Sequence, residues 1–283
     1  MQTAACWLSL RRKWSSCVRM SEVMGRGRRF GRVVCVLGAL CGSAAALAEP
    51  EPLHVYVGQG QMPFANGSAA QAGLFGDLMR ELCVRIERQC LFRSVPWRRV
   101  LSAAAEDPHG IVLNLGRTRE REDSFVWLLD VLPTPYVLAS QDRAFDSIAD
   151  ALAAGPVAVM AGTPRAAAVN AARRGRQQVV EVTDPEQAAH LLHSGRVATW
   201  YEIDLRILYL WRYLGYDSSP LFGQPINHTR SYIASGLNLE DAELVHQRML
   251  AAFRDMRRDG SWQRILATYL GPDKAGAVLS DDT

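Results

Sequence analysis

The sequence predicts an α/β protein of two lobes joined by two crossing strands. Short apolar segments alternate with helical patterns between residues 53 and 116. This β-α-β-α-β order favours a parallel sheet covered by helices. The alternation restarts near residue 141, and extended segments on either side of this second unit take the chain across twice. We therefore expect a cleft between two lobes that closes by hinge motion. The predicted boundaries are 49–140 plus 228–283 for lobe I and 141–227 for lobe II, with crossing segments at 133–140 and 231–235.

The helices of both lobes are predicted from their start signals. Asp77 is a candidate N-cap in lobe I, and Pro96 opens the next helix. In lobe II, Thr163 is a candidate N-cap, and Pro164 after it suits the first helical position. Asp184 followed by Pro185 is a second start signal of the same kind. The predicted strands are 53–58, 90–95, 111–115, 156–160, 179–182, 197–203 and 231–235. The predicted helices are 77–87, 97–107, 145–154, 164 onward, 185–195, 204–214, 239–259 and 262–270.

Residues 1–48 are expected to be a signal peptide. A basic stretch precedes the run 33–48, which is apolar or small throughout and shorter than the ~20 residues of a membrane span. The run ends in a small-x-small cleavage site, Ala46 to Ala48. A retained membrane anchor is the alternative, and Met20 and Met24 are alternative start sites.

The formal net charge of +3 is carried by this leader. Residues 1–48 hold eight Lys and Arg and one Glu, so the remaining chain has 24 basic and 28 acidic residues and a net charge of −4. A nucleic-acid binder keeps a basic surface, so nucleic acid is not expected as a partner. Two cysteines remain, Cys83 and Cys90. An even count in an exported protein suggests a disulfide, with two buried thiols as the alternative.

A candidate anion site follows the third strand, where the apolar run ends at Gly116. Ligands of open α/β sheets lie outside the carboxyl ends of strands, and a guanidinium group can hold a carboxylate through two parallel hydrogen bonds. Thr118 and Arg121 are three residues apart, so one helical turn places them on one face. The alternative is a solvated turn with internal salt bridges.

The second lobe offers further candidates. Backbone N–H groups after Thr163 point out of a helix N-terminus and favour an anion, although the segment is also compatible with an ordinary capped helix. Glu202 and Asp204 lie at a strand end, where their carboxylates could accept an ammonium group. The alternatives are that Asp204 is a helix N-cap and that Glu202 is a surface carboxylate. Phe64, Trp97, Trp200 and Tyr201 are candidate cleft walls or core residues. His190 and His193 lack an evident third ligand, so no metal or other cofactor is expected.

Six short motifs occur in order along about 235 residues. They include an early Pro-Phe, a Thr-x-x-Arg, a Gly-Thr in the second lobe and an Asp-Gly-Ser-Trp near the end. Together they resemble the type 3 extracytoplasmic solute-binding proteins of ABC transporters, the polar amino acid-binding group. The resemblance implies a monomeric periplasmic protein with the two-lobed periplasmic-binding-protein fold (type II). The motifs lie at 62–64, 73–78, 95–99, 118–121, 162–163 and 259–262 with 269–271.

The resemblance also implies roles for individual residues. Arg121 would hold the ligand carboxylate, with Asn114 and Gly116 beside it and Gly162 with Thr163 opposite. Gly116 stands where the family usually has a hydroxyl residue, so one contact is lost. Ile203 stands where an amino acid binder has its ammonium-binding Asp. An α-amino acid ligand is therefore doubtful, whereas a carboxylate-bearing ligand is not.

Three functions follow from these expectations. The first is a non-enzymatic periplasmic protein that captures an amino acid or related carboxylate for an inner-membrane ABC permease. The second is an enzyme on the same fold. Cyclohexadienyl dehydratases resemble this family and carry a catalytic Glu at the position of Arg206, which argues against this activity, although Glu202 and Asp204 keep general-acid chemistry open. The third is an orphan sensor that presents its closed form to a membrane receptor.

Overall fold

The computed structural model describes residues 50–67 and 71–280. The predicted leader lies outside these residues. Two five-stranded sheets, each packed against helices, confirm the two-lobed α/β fold. The strands are β1 (Leu53–Gly58), β2 (Cys90–Val95), β3 (Gly110–Gly116), β4 (Val126–Pro133), β5 (Tyr136–Ser140), β6 (Val157–Met160), β7 (Val179–Val182), β8 (Thr199–Ile203), β9 (Leu221–Phe222) and β10 (Arg230–Ser235). The helices are α1 (Leu74–Arg85), α2 (Trp97–Glu106), α3 (Ile148–Ala154), α4 (Pro164–Ala172), α5 (Pro185–His193), α6 (Asp204–Tyr213), α7 (Ala242–Arg258), α8 (Ser261–Leu270) and α9 (Pro272–Ser280).

The first sheet has the strand order β2-β1-β3-β10-β4. Strands β1, β2 and β3 are parallel, whereas β10 is antiparallel to both of its neighbours. The side chains of Ile111, Val112 and Leu115 in β3 are fully buried. The central apolar run is thus a buried strand, as predicted, and its carboxyl end opens beside the second sheet.

The second sheet has the order β7-β6-β8-β5-β9, in which β6 is parallel to β7 and β8 and β5 runs antiparallel to β8 and β9. The chain passes between the sheets from β4 to β5 and again from β9 to β10. Because β5 pairs within the second sheet, the first crossing lies at residues 133–136 and not along the whole of 133–140. Because β10 pairs within the first sheet, the second crossing lies at residues 222–230, before the predicted segment 231–235. The lobe boundaries given above stay a prediction.

The structure corrects one local prediction and contains elements that were not predicted. Helix α1 begins at Leu74, and Asp77 lies inside it, where its carboxylate accepts a hydrogen bond from the Tyr269 hydroxyl at 2.5 Å. Strand β4 was not predicted; it pairs with β10, far away in sequence, and β10, which is antiparallel to both β3 and β4, makes the sheet mixed rather than wholly parallel. Helix α9 was not predicted either, because Pro272 resembles a stop signal although proline also suits the first position of a helix.

Cys83 of α1 and Cys90 of β2 form a disulfide, which confirms the predicted pairing. The bond ties the end of the first helix to the start of the next strand. Over residues 50–67 and 71–280, no helix is both long and apolar enough to cross a membrane.

Candidate functional site

A small cavity lies where residues of both sheets approach each other. Its volume is about 30 Å³, which is room for roughly one or two water molecules. The space left between the residues of the two sheets is therefore small. The lining residues are Gln61, Trp97, Asn114, Gly116, Arg121, Tyr136, Thr163, Pro164, Arg165, Ile203, Arg206 and Ser231.

Arg121 lies at the cavity because the chain turns sharply after β3. Residues Arg119–Ser124 form a short 3-10 helix, and the backbone N–H of Arg121 donates to Thr118 O at 3.0 Å. The side-chain Nη1 donates to Gly116 O at 3.2 Å. Within the described part of the chain, no carboxylate forms an ion pair with this guanidinium. Burial lowers the pKa of Arg121, and the positive charge of Arg165 lowers it further.

The alternative interpretation of this turn, an internal salt bridge, applies to a different arginine. Arg117 donates through Nε to Glu122 Oε2 at 2.8 Å on the exposed side of the turn, and its guanidinium lies 5.2 Å from the ring centre of Trp127. The internal salt bridge of the turn is therefore the pair of Arg117 with the exposed Glu122. Arg121 is left facing the cavity.

Two residues of β3 shape the cavity beside Arg121. A Cβ on Gly116 would come within 3.1 Å of the Tyr136 hydroxyl, so glycine permits this close approach. Asn114 has a φ of 55°, in the left-handed region that few residues other than glycine adopt. Its Oδ1 is buried without a hydrogen-bond partner among the described residues. Strained backbone and unsatisfied polar atoms are typical of binding sites.

The predicted cap at Thr163 is formed. Its Oγ1 accepts from Ala166 N at 3.3 Å and donates to Met160 O at 2.6 Å, which fixes the start of α4 at the cavity. Gly162 is not among the lining residues. It has a φ of 73°, and a Cβ there would lie 3.8 Å from Cγ of Arg98, a residue of the first lobe.

The other predicted contacts lie around the cavity at different depths. Trp97 lines it, whereas the fully buried Phe64 lies behind it, with its ring centre 5.1 Å from the Arg206 guanidinium. Thr118 is not a lining residue and acts through its carbonyl, which fixes the turn of Arg121. Trp200 and Tyr201 are buried in the core, Tyr201 packing edge-on against Tyr136.

Two lining arginines, Arg165 and Arg206, were not predicted to bind a ligand. Both are buried, and both pair with the fully buried Glu202, at 2.9 Å from Arg165 and 3.3 Å from Arg206. Arg206 also donates to Gln61 Oε1 at 3.0 Å and to Met62 O at 3.3 Å, which connects the two lobes. Burial lowers the pKa of Arg206, while Glu202 opposes the effect.

The two acidic candidates have other partners in the structure. Glu202 holds two arginines in place of the expected ammonium group. Asp204 faces a separate cavity of about 390 Å³ at the crossing segments, and pairs there with Lys274 at 3.4 Å. Asp204 is also not an N-cap, because it is the first helical residue and accepts from Leu205 N at 2.7 Å. Burial raises the pKa of its carboxyl, and the charge of Lys274 partly offsets this.

A local signal for the missed arginines exists in the sequence. Arg165 and Arg206 both lie in the first turn of a helix, where the helix dipole disfavours a cation. A buried cation at such a position needs a nearby acid, and Glu202 precedes Arg206 by one helical turn. Tyr136, Gln61 and Ser231 carry no such signal, because only the tertiary fold brings them to the cavity.

Comparison with known proteins relates this geometry to a family. No protein-family model matches the chain. The sequence is 27% identical over 255 residues to the histidine-binding periplasmic protein of Salmonella typhimurium, covering 85% of this chain and 96% of that protein. The fold is shared with a putative L-cystine ABC transporter protein of Listeria monocytogenes, at a TM-score of 0.66 and 16% identity over 79% of this chain and 98% of that one.

A third similar structure is a histidine kinase sensor domain with similarity to periplasmic binding proteins, with a TM-score of 0.67 and 16% identity. It matches 78% of this chain and 96% of that domain. The comparisons confirm that the chain resembles the type 3 extracytoplasmic solute-binding proteins and has the two-lobed fold of periplasmic binding proteins.

Proposed function

We propose that the protein is a periplasmic binding protein that captures a small carboxylate-bearing solute and passes it to an inner-membrane ABC permease. One observation carries the proposal: the guanidinium of Arg121 lines the cavity between the lobes and has no carboxylate partner among the described residues. A half-buried arginine stays charged at neutral pH. An anionic solute would supply the missing charge and two parallel hydrogen bonds.

The surroundings of Arg121 support capture by closure. Arg206 of one lobe contacts Gln61 and Met62 of the other, so the closed form has its own connections between the lobes. A solute that binds between the lobes adds further connections and favours the closed form. Export to the periplasm is supported by the predicted leader, the disulfide and the periplasmic relative. In this proposal the protein acts as a monomer.

The enzyme alternative has less support. General acid catalysis needs a carboxyl group within reach of the substrate, yet none of the residues that line the cavity is acidic. Glu202 is committed to two arginines and Asp204 lies in another cavity. Incubation with prephenate or arogenate tests this point. Product formation would replace the proposal by a dehydratase.

The sensor alternative is favoured by one observation, the likeness to a histidine kinase sensor domain. It requires the same solute site and differs only in the partner. Uptake of the radiolabelled solute by cells with and without the gene separates the two roles. Uptake that depends on the gene supports transport, and unchanged uptake supports a sensor.

The proposed function is tested by truncating Arg121. A thermal-shift screen of amino acids, polyamines and small carboxylates first identifies the solute, since a ligand at 100 times its Kd stabilises by about 2.7 kcal/mol. Calorimetry on Arg121→Ala should then show a loss of about 2–5 kcal/mol in binding free energy, because a buried charge loses its partner. The control is Arg119→Ala, which removes an exposed arginine from the same turn. Equal affinity of Arg121→Ala and wild type would refute the proposal.

A further inference from the structure

The cavity contains more positive charge than one carboxylate neutralises. Arg121 reaches it from the first lobe, and Arg165 and Arg206 reach it from the second. The only carboxylate paired with these groups, within the described ranges 50–67 and 71–280, is Glu202. Three guanidinium groups and one carboxylate leave a net charge of +2 around a closed, small space.

The position of two of the arginines increases this positive potential. Arg165 and Arg206 lie in the first turns of α4 and α6, and the N-terminal end of a helix carries about half a positive charge. The side chains of both arginines are at most 5% exposed. Solvent therefore screens this charge poorly.

An unpartnered donor indicates where the second anionic group would bind. Arg165 uses Nη2 to contact Glu202, and its guanidinium lies 4.7 Å from the ring centre of Tyr136. Its Nε is buried and has no hydrogen-bond partner within the described part of the chain. A ligand oxygen in the cavity would satisfy this donor, just as a second ligand oxygen would satisfy Arg121.

An ammonium group fits this environment poorly. None of the lining residues is acidic, and the position where an acid would be expected, Ile203, presents an apolar side chain. The orphaned acceptor near Arg121 is the neutral Oδ1 of Asn114. A neutral acceptor suits a ligand hydroxyl, whereas an ammonium group would add positive charge to a site that already has an excess.

We propose that the ligand is a small aliphatic dicarboxylate without an ammonium group, with one carboxylate held by Arg121 and the other by Arg165. This inference rests on the proposed function and specifies its solute class. A dianion matches the net charge of the cavity. Its two ends would connect the lobes, because the two arginines belong to different lobes.

Isothermal titration calorimetry on the mature protein at low salt tests the inference. The panel is succinate, malate, glutamate, glutamine, histidine, phosphate and sulfate. We expect succinate or malate to bind at least tenfold more tightly than any of the amino acids. Arg165→Gln should weaken dicarboxylate binding by about 30-fold or more, as for a truncated buried charge pair. The control, Arg173→Gln, removes an exposed arginine at the far end of α4 and should bind like wild type.

The outcomes separate the two levels of the proposal. If an α-amino acid binds more tightly than both dicarboxylates and Arg121→Ala still abolishes binding, the dicarboxylate inference fails and the proposed function stands. Binding of phosphate or sulfate alone also overturns the inference. If Arg121→Ala binds every solute like wild type, the proposed function fails as well. Should Arg165→Gln not fold, Arg165→Lys takes its place, because lysine keeps the charge without the planar guanidinium; it should show an intermediate loss of dicarboxylate affinity. The order of solute affinities in the wild-type protein tests the inference independently of both variants.

Discussion

Replacing Glu202 by glutamine tests the charge arrangement at the centre of the site. The carboxylate is fully buried, and its two arginine partners are buried with it. Glutamine has nearly the same shape, so the substitution removes charge and leaves the packing in place. Arg165 and Arg206 would then be two like charges that lack a counter-ion.

The expected loss in the free energy of unfolding follows from the contacts removed. Two ion pairs, at 2.9 and 3.3 Å, end on the two oxygens of Glu202, and the pair with Arg206 is also a charge-assisted hydrogen bond. A hydrogen bond to a charged group contributes about 1.5–3 kcal/mol, and the glutamine amide retains one acceptor oxygen. Removing one partner of a buried ion pair costs about 3–5 kcal/mol. We therefore expect Glu202→Gln to be about 3–5 kcal/mol less stable than wild type.

Urea unfolding at pH 7 measures this difference, provided that the m-value is unchanged. The control is Glu181→Gln, which changes an exposed carboxylate in the same sheet and should stay within about 0.5 kcal/mol of wild type. A double variant, Glu202→Gln with Arg206→Met, should lose less stability than the two single variants added together, because one unpaired charge is also removed. A loss below about 1 kcal/mol in Glu202→Gln would refute the argument.

Three further predictions concern neighbouring parts of the structure. Burial raises the pKa of Tyr201 to about 12, above its ordinary value near 10, so its contribution to the free energy of unfolding is complete below pH 10 and is lost as the pH rises through 12. Between pH 10 and 12, urea unfolding of Tyr201→Phe should therefore show a decrease in the free energy of unfolding that is up to about 2–3 kcal/mol smaller than the decrease in wild type. An equal decrease in the two proteins would contradict this. The double variant Cys83→Ser, Cys90→Ser opens a loop with a sequence separation of 7 and should lower the free energy of unfolding by about 2–3 kcal/mol; an unchanged urea midpoint would be inconsistent with a stabilising disulfide. Gly116→Ala places a methyl group about 3.1 Å from the Tyr136 hydroxyl and should weaken solute binding about tenfold by calorimetry. Unchanged affinity would contradict this, because it would mean that the neighbouring side chains accommodate the methyl group without cost.

Local signals in the sequence predict the elements that position the site, but not all of its side chains. The Thr163 cap and the turn that carries Arg121 follow from short motifs, and the structure forms both. Arg206 meets Gln61 at a separation of 145 residues. Such a contact has no local pattern and arises only when the lobes pack.

Strand β4 illustrates the same limit in the fold. Its apolar pattern is interrupted by Asp130, which is exposed and binds Arg230 of β10 at 2.8 Å. The pairing that makes this segment a strand comes from a partner about 100 residues away, so the local sequence shows only a broken apolar run. The charge balance of the cavity depends in the same way on tertiary contacts, because Glu202 neutralises arginines from two different helices.

The most direct test of the central claim is a crystal structure of the protein with its tightest-binding solute. The account predicts a solute enclosed between the two sheets, with an anionic group 2.7–3.2 Å from the guanidinium nitrogens of Arg121. A solute bound instead in the cavity beside Asp204 and Lys274, or one with no anionic group near Arg121, would contradict it.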